Sequence, residues 1–188
     1  MQKLGTPFLL KRSVAVTGSA AALLVLLGLL APGLAQAQAQ DPGVLAAAEF
    51  SDQFGTVDSL ARRAGAPVVA MVVGIKALPM IEKWERDLTK RVPGLRFLNV
   101  VDLPSDVPVD LERTAATLRK RVPAEVSVLM DPERQWATAF ALDTALPNLL
   151  LFDARGQLVA RFRGRWTAAV AEEVAAEVTA LRPVDPQP

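Results

Sequence analysis

The carboxylates Asp102, Asp106 and Asp110 recur at four-residue spacing around Pro104 and Pro108, and oxygen ligands of this kind suit hard cations such as calcium. The run lacks the glycine and the closing bidentate glutamate of a calcium loop, so it reads as solvated loop carboxylates and no metal site is predicted. Arg161, Arg163 and Arg165 alternate along a strand-like stretch, which puts them on one face and Leu158, Ala160 and Phe162 on the other. That pattern suits an edge strand guarded by charge; its sharper reading is a basic face for an anionic partner. Trp84, Trp136 and Trp166 read as packing residues. Thr167 and the scattered acids form no pair that spacing alone brings together for acid–base work.

Exclusion is the firmer result. The 188 residues contain no cysteine, histidine or tyrosine. Thiol nucleophiles, disulfide exchange, Cys/His zinc sites, histidine-ligated haem and Ser-His-Asp catalysis each require a side chain this chain lacks. No cofactor is predicted, and no catalytic residue can be named.

Lys3, Lys11 and Arg12 precede an apolar stretch from Ala20 to Leu30, and Ala35-Gln36-Ala37 or Ala37-Gln38-Ala39 offers a small-x-small cleavage pattern. Residues 1–39 therefore read as a secretory signal, which predicts an extracytoplasmic location, periplasmic or secreted. The alternative is a retained membrane anchor, since Val14 to Leu34 approaches the roughly 20 residues that span a bilayer, although Gly18, Ser19 and Pro32 interrupt it. Loss of Lys3, Lys11 and Arg12 takes the 21 basic residues to 18 against 20 acidic ones, so the mature chain is slightly acidic and its charge gives no reason to expect nucleic acid. The remaining ~150 residues make one domain that can bury a core without disulfides.

Residues 40–49 read as a flexible lead and 182–188 as a disordered, proline-rich tail. Between them, Asp52-Gln53-Phe54-Gly55 marks the turn of a small hairpin. The continuous apolar run from Pro67 to Ile75 predicts a central strand covered on both faces. Leu78, Ile81, Trp84 or Glu85, Leu88 and Val92 trace the buried stripe of a helix that Pro79 opens and Pro93-Gly94 ends. Arg96–Leu103 is a second strand. Asp110–Val122 is a second helix, with Leu111, Ala115, Leu118 and Val122 inward and Arg119, Lys120 and Arg121 complementing its dipole. Strands at Val126–Met130 and Pro147–Phe152 flank a short helix around Trp136 and Phe140. The turn Asp153–Gly156 leads into a strand from Gln157 to Arg163, and Thr167 caps a closing helix with Val170, Val174, Val178 and Leu181 inward. The fold class is α/β, with a mixed central sheet, helices on both faces and a C-terminal hairpin plus helix.

The segment Val128-Leu129-Met130-Asp131-Pro132 and the stretch from Ala145-Leu146-Pro147-Asn148 to Arg163-Gly164, together with the hairpin at 51–60, the strand Val68–Val73 and Ala77-Leu78-Pro79, resemble the redoxin and TlpA-like branch of the thioredoxin superfamily. The resemblance covers residues 50–181 and implies a thioredoxin-like three-layer sandwich. It implies a cis bond before Pro147, with the backbone at Leu146 exposed to an incoming extended peptide. It also implies a Cys-x-x-Cys pair between the first strand and first helix, where this chain reads Val73-Gly74-Ile75-Lys76-Ala77-Leu78-Pro79. Thiol–disulfide and peroxidatic chemistry by this polypeptide alone are thereby excluded.

What remains is an exported, non-catalytic binding, scaffolding or holdase-like module. Its expected groove lies between Gly74, Ile75, Lys76 and Ala77 and the backbone of Leu146 and Pro147, where a peptide or envelope protein could add by main-chain hydrogen bonds. The alternative is a degenerate redoxin serving as an accessory subunit of an extracytoplasmic thiol-redox or antioxidant system.

Overall fold

The computed structural model of the chain describes residues 42–103 and 108–182. The predicted signal at 1–39, Asp106 and most of the predicted tail lie outside them. The stretch read as a flexible lead holds a helical turn, α1 (Pro42–Ala47), that buries Leu45. Two short antiparallel strands, β1 (Phe50–Ser51) and β2 (Val57–Asp58), form the predicted hairpin.

Strand β3 (Val68–Gly74) is the centre of the molecule. Val69, Ala70, Met71, Val72 and Val73 are all fully buried, which explains why the run shows no polar alternation. A tight turn at Leu78–Met80, with Pro79 where no N–H is needed, leads into α2 (Ile81–Arg91). Its buried residues, Ile81, Trp84 and Leu88, follow the predicted stripe. Strand β4 (Arg96–Asp102) runs parallel to β3, from Val68 opposite Arg96 to Gly74 opposite Asp102.

Helix α3 (Leu111–Arg121) is capped by Asp110, whose Oδ1 accepts from the Arg113 N–H at 2.9 Å. Ala115 and Leu118 are buried, but Leu111, predicted inward, is 43% exposed. It sits in the opening turn and lines a surface recess with Phe54. Strand β5 (Val128–Asp131), helix α4 (Gln135–Ala139) and strand β6 (Asn148–Phe152) follow. Strand β7 (Leu158–Arg163) and helix α5 (Ala168–Ala180), capped by Thr167 Oγ1, complete the domain.

The five long strands lie in the order β5-β4-β3-β6-β7, with β3, β4 and β5 parallel and β6 and β7 antiparallel. Both crossovers, through α2 and α3, leave their helices on the same face of the sheet, as right-handed connections require. There α2, α3 and α5 enclose Met71, Val73, Val101 and Leu149 around Trp84 and Leu88. The other face carries α1, α4 and the hairpin, with Trp136, Phe140 and Phe152 as an aromatic trio whose ring centroids lie 5.8 to 6.2 Å apart. No helix among the described residues is long and apolar enough to cross a membrane.

Two features depart from simple alternation. In the β6–β7 ladder Leu151 faces Ala160 while the next residue, Phe152, faces Leu158, so Val159 is an extra residue in a β-bulge. Leu158 therefore joins the aromatic face, whereas Ala160 and Phe162 pack on the opposite one, not all three together as predicted. The hairpin tip is also more than a turn. Gln53 is fully buried and clasps the chain entering β5, with Nε2 donating to the Val126 carbonyl at 2.7 Å and Oε1 accepting from the Val128 N–H at 2.8 Å.

Candidate functional site

Parallel strands that end side by side bring their last residues to one crevice, the usual place for ligands in α/β sheets. Here Gly74 closes β3 and Asp102 closes β4, opposite each other in register. The Gly74 N–H donates to the Thr144 carbonyl at 2.8 Å. A Cβ at Gly74 would come within 3.1 Å of that oxygen, a tight contact that would make the loop before β6 give by a few tenths of an ångström.

Asp102 is 5% exposed and fully engaged. Thr144 Oγ1 donates to its Oδ2 at 2.6 Å, and Arg134 Nε bridges both oxygens at 3.0 and 3.2 Å. Charge-assisted bonds of this length are about twice as strong as neutral ones. Arg134 reaches Asp102 from a left-handed backbone, φ 56° and ψ 34°, at the start of α4, a conformation that a bulky residue holds only when its surroundings impose it. Beside it, Asp131 lies opposite Asp102 in the β4–β5 ladder. Its oxygens accept the Gln135 and Trp136 N–H groups at 3.0 and 2.9 Å. Burial pushes the Asp131 carboxyl above its ordinary value; those N–H donors oppose the shift and the charge of Asp102 adds to it.

Gly74, Ile75, Lys76, Asp102, Arg134, Thr144 and Ala145 line an open depression of about 290 Å³. Lys76 is exposed on its rim. Of the residues expected to form the groove, Gly74, Ile75 and Lys76 line this depression, while Ala77 is buried in the core. Leu146 and Pro147 are not among the residues that line the depression. Every peptide bond among the described residues is trans, including the one before Pro147, which corrects the expected cis bond. Trans is the X–Pro default by about 0.5–1 kcal/mol, and the loop satisfies itself in that form. Asn148 Nδ2 donates to the carbonyls of Leu146 and Asp143 at 3.0 and 2.9 Å, and the Gly164 N–H donates to that of Pro147 at 2.9 Å. The Leu146 carbonyl thus already accepts one bond within the chain.

The arginines read as a basic face have separate tasks. Arg161 lies over the Phe140 ring at 5.3 Å and donates to the Phe140 carbonyl at 3.0 Å. Arg163 pairs with Asp143, and Arg165 is exposed beyond the end of β7. Asp102 and Asp110 are committed to the ion pair and the helix cap, and no group of three acidic ligands among the described residues is placed to hold a metal ion. Sequence reading missed Arg134 and Thr144 altogether. Their contacts with Asp102 span 32 and 42 residues, and the only local signal was an acid at a strand end.

No family model matches the sequence, and no curated protein matches it. Solved structures do. The pneumococcal exposed lipoprotein thioredoxin Etrx1 from Streptococcus pneumoniae matches with a TM-score of 0.58 and 15% identity, over 69% of this chain and 98% of its own. A putative thiol:disulfide interchange protein DsbE from Chlorobium tepidum matches at 0.53 and 18% identity, over 71% and 92%. Peroxiredoxin Q from Xanthomonas campestris matches at 0.55 and 18% identity, over 74% and 94%. At such identities the likeness speaks to architecture alone. The chain has the thioredoxin-like fold of these redoxins, built without a single cysteine.

Proposed function

We propose that this protein is an exported, thioredoxin-like binding module with no thiol chemistry of its own, and that it engages its partner at the depression where β3 and β4 end. The observation that carries this reading is the composition of that place. The junction Val73–Leu78 holds no sulfur, and the floor is closed by a saturated Asp102–Thr144–Arg134 network. Thr144 is buried and both oxygens of Asp102 are occupied, so the groups present position a surface rather than attack a bond. Ile75 and Lys76 offer the side chains for recognition there. Export rests on the signal-like segment at 1–39, and the non-catalytic role on the missing cysteine and histidine.

The test has two arms. Purified protein is expected to leave insulin disulfides and hydrogen peroxide at the blank rate; turnover of either by the chain alone would overturn the non-catalytic reading. A photo-cross-linking residue at Lys76 is expected to capture a discrete neighbour in the exported protein, whereas one at Arg155 on the β6–β7 turn is expected to capture none. Equal capture from both positions would remove the depression from consideration.

A further inference from the structure

Toward the opposite end of β4 lies a second recess, whose nearest residue on the strand, Asn99, is three positions and hence roughly 10 Å from Asp102 of the depression. It has a volume of about 310 Å³ and runs along Leu95–Asn99, with Glu85 of α2 above it and Glu125 and Ser127 of the chain entering β5 beside it. Two observations distinguish it. First, β5 pairs with β4 only from Asn99 onward, so Arg96, Phe97 and Leu98 face no strand on that side among the described residues. Their edge is open inside the recess.

Second, the recess contains buried acceptors without donors. Asn99 is 4% exposed, and its Nδ2 is fixed by donation to the Ser127 carbonyl at 3.2 Å. Its Oδ1 therefore points the other way, and it is buried with no hydrogen-bond partner, as is Oε2 of Glu85. An orphaned buried acceptor is costly and calls for an explanation. The cations nearby are already committed, since Arg63 pairs with Asp58 and Arg96 donates to the carbonyls of Arg63 and Ala64 at 3.1 and 3.4 Å. Glu85 and Glu125 have no cationic partner among the described residues.

We propose that this recess binds the lysine or arginine side chain of an extended polypeptide segment, which pairs through its main chain with the open edge of β4 at Arg96–Leu98. The basic head would pair with the part-exposed Glu85 side chain, and a side-chain shift would open Oε2 and Asn99 Oδ1, both closed to solvent in the unliganded chain, to its donors, with Glu125 adding to the attraction. An open strand edge gives affinity through backbone bonds, and a side-chain pocket at its end gives selectivity. The reading is independent of the depression at the other end of the sheet.

Burial, opposed by Asn99 and reinforced by the charge of Glu125, holds the Glu85 carboxyl above its ordinary value. A bound cation reverses that balance, so binding releases a proton and tightens as pH rises. Asp58, Arg63 and Arg96 also face the recess, but Asp58 and Arg63 pair with each other and Arg96 donates to backbone carbonyls, which leaves Glu85 as the group that responds.

The experiment is fluorescence polarisation with a labelled Thr-Val-Arg-Val-Thr peptide and the purified protein. Saturable binding is expected, weakened about tenfold or more when the peptide arginine is replaced by glutamine, and similarly in Glu85→Gln protein. Glu125→Gln is expected to weaken it less. Hydrogen exchange is expected to slow at the amides of residues 96–98 on binding, and free methylguanidinium is expected to bind far more weakly than the peptide. Equal binding of the arginine and glutamine peptides, or unchanged binding by folded Glu85→Gln protein, would overturn the proposal. So would peptide-induced protection confined to other strands, or methylguanidinium matching the peptide.

Discussion

Individual side chains carry most of what is particular to this molecule. Thr144 and Asp102 share the shortest buried side-chain bond at the depression, 2.6 Å. Thr144→Val removes the donor and leaves one oxygen of a buried carboxylate short, so a loss of about 1–3 kcal/mol is expected in urea unfolding. The charge is still held by Arg134, which keeps the loss from being larger. Glu85 acts with the opposite sign. Its folded carboxyl titrates above the ordinary 4.5, so the folded state binds the proton more tightly than the unfolded chain. Its contribution is present in full below that ordinary value and is lost as pH rises through the raised one. Glu85→Gln cannot ionise, and its amide can donate to Asn99 Oδ1. The variant is expected to unfold at higher urea near pH 7, by about 1 kcal/mol, and to show a flatter pH dependence above 4.5. A wild-type stability that climbs across that interval, with no difference in the variant, would contradict this assignment.

At the level of elements, the hairpin tip is a latch as well as a turn. Besides the two bonds from the Gln53 side chain, its carbonyl accepts from Arg119 of α3 at 2.6 Å, and Asp52 Oδ2 accepts from Ser127 Oγ at 2.8 Å. Gln53→Ala strands the Val128 N–H and the Val126 carbonyl, and a cost of about 2 kcal/mol is expected, with hydrogen exchange accelerated first at β5. The order of elements was legible because their periods are strong: the valine run of β3, and the Ile81, Trp84, Leu88 stripe of α2. Turn chemistry at Asp52–Gly55, Pro93-Gly94 and Asp153–Gly156 was legible too. Contacts between distant segments were not. Nothing near Gln53 announces Val128, and nothing near Arg134 announces Asp102, because such pairings exist only once the sheet has assembled. Leu111 was misplaced because a helical stripe does not say where the neighbouring layer stops. The expectation at Gly74–Lys76 came from the strand–helix junction, whereas the spacing of Asp102 and Asp110 gave no sign of the ion pair and the helix cap they form.

For the molecule as a whole, one sheet is shared by two cores. Leu88 and Trp84 lie on one face and Trp136, Phe140 and Phe152 on the other, with β3 and β6 contributing to both. Damage to either core should therefore weaken the same cooperative transition. Leu88→Ala is expected to cost about 2–5 kcal/mol and Phe140→Ala about 3–5 kcal/mol. Fluorescence from the tryptophans and far-UV circular dichroism are expected to report a single shared midpoint in each variant. Separate midpoints would mean that the two faces melt independently.

The bulge at Val159 has a consequence for how this protein can change length. Val159 is 46% exposed and belongs to neither core, and its neighbours Leu158 and Ala160 already face Phe152 and Leu151. Deleting Val159 would splice β7 into an uninterrupted ladder while every inward residue kept its side. The same one-residue deletion inside β6 would turn that strand inside out. Of the two antiparallel strands, the edge strand β7 can thus absorb a codon's loss, and β6, paired on both sides, cannot.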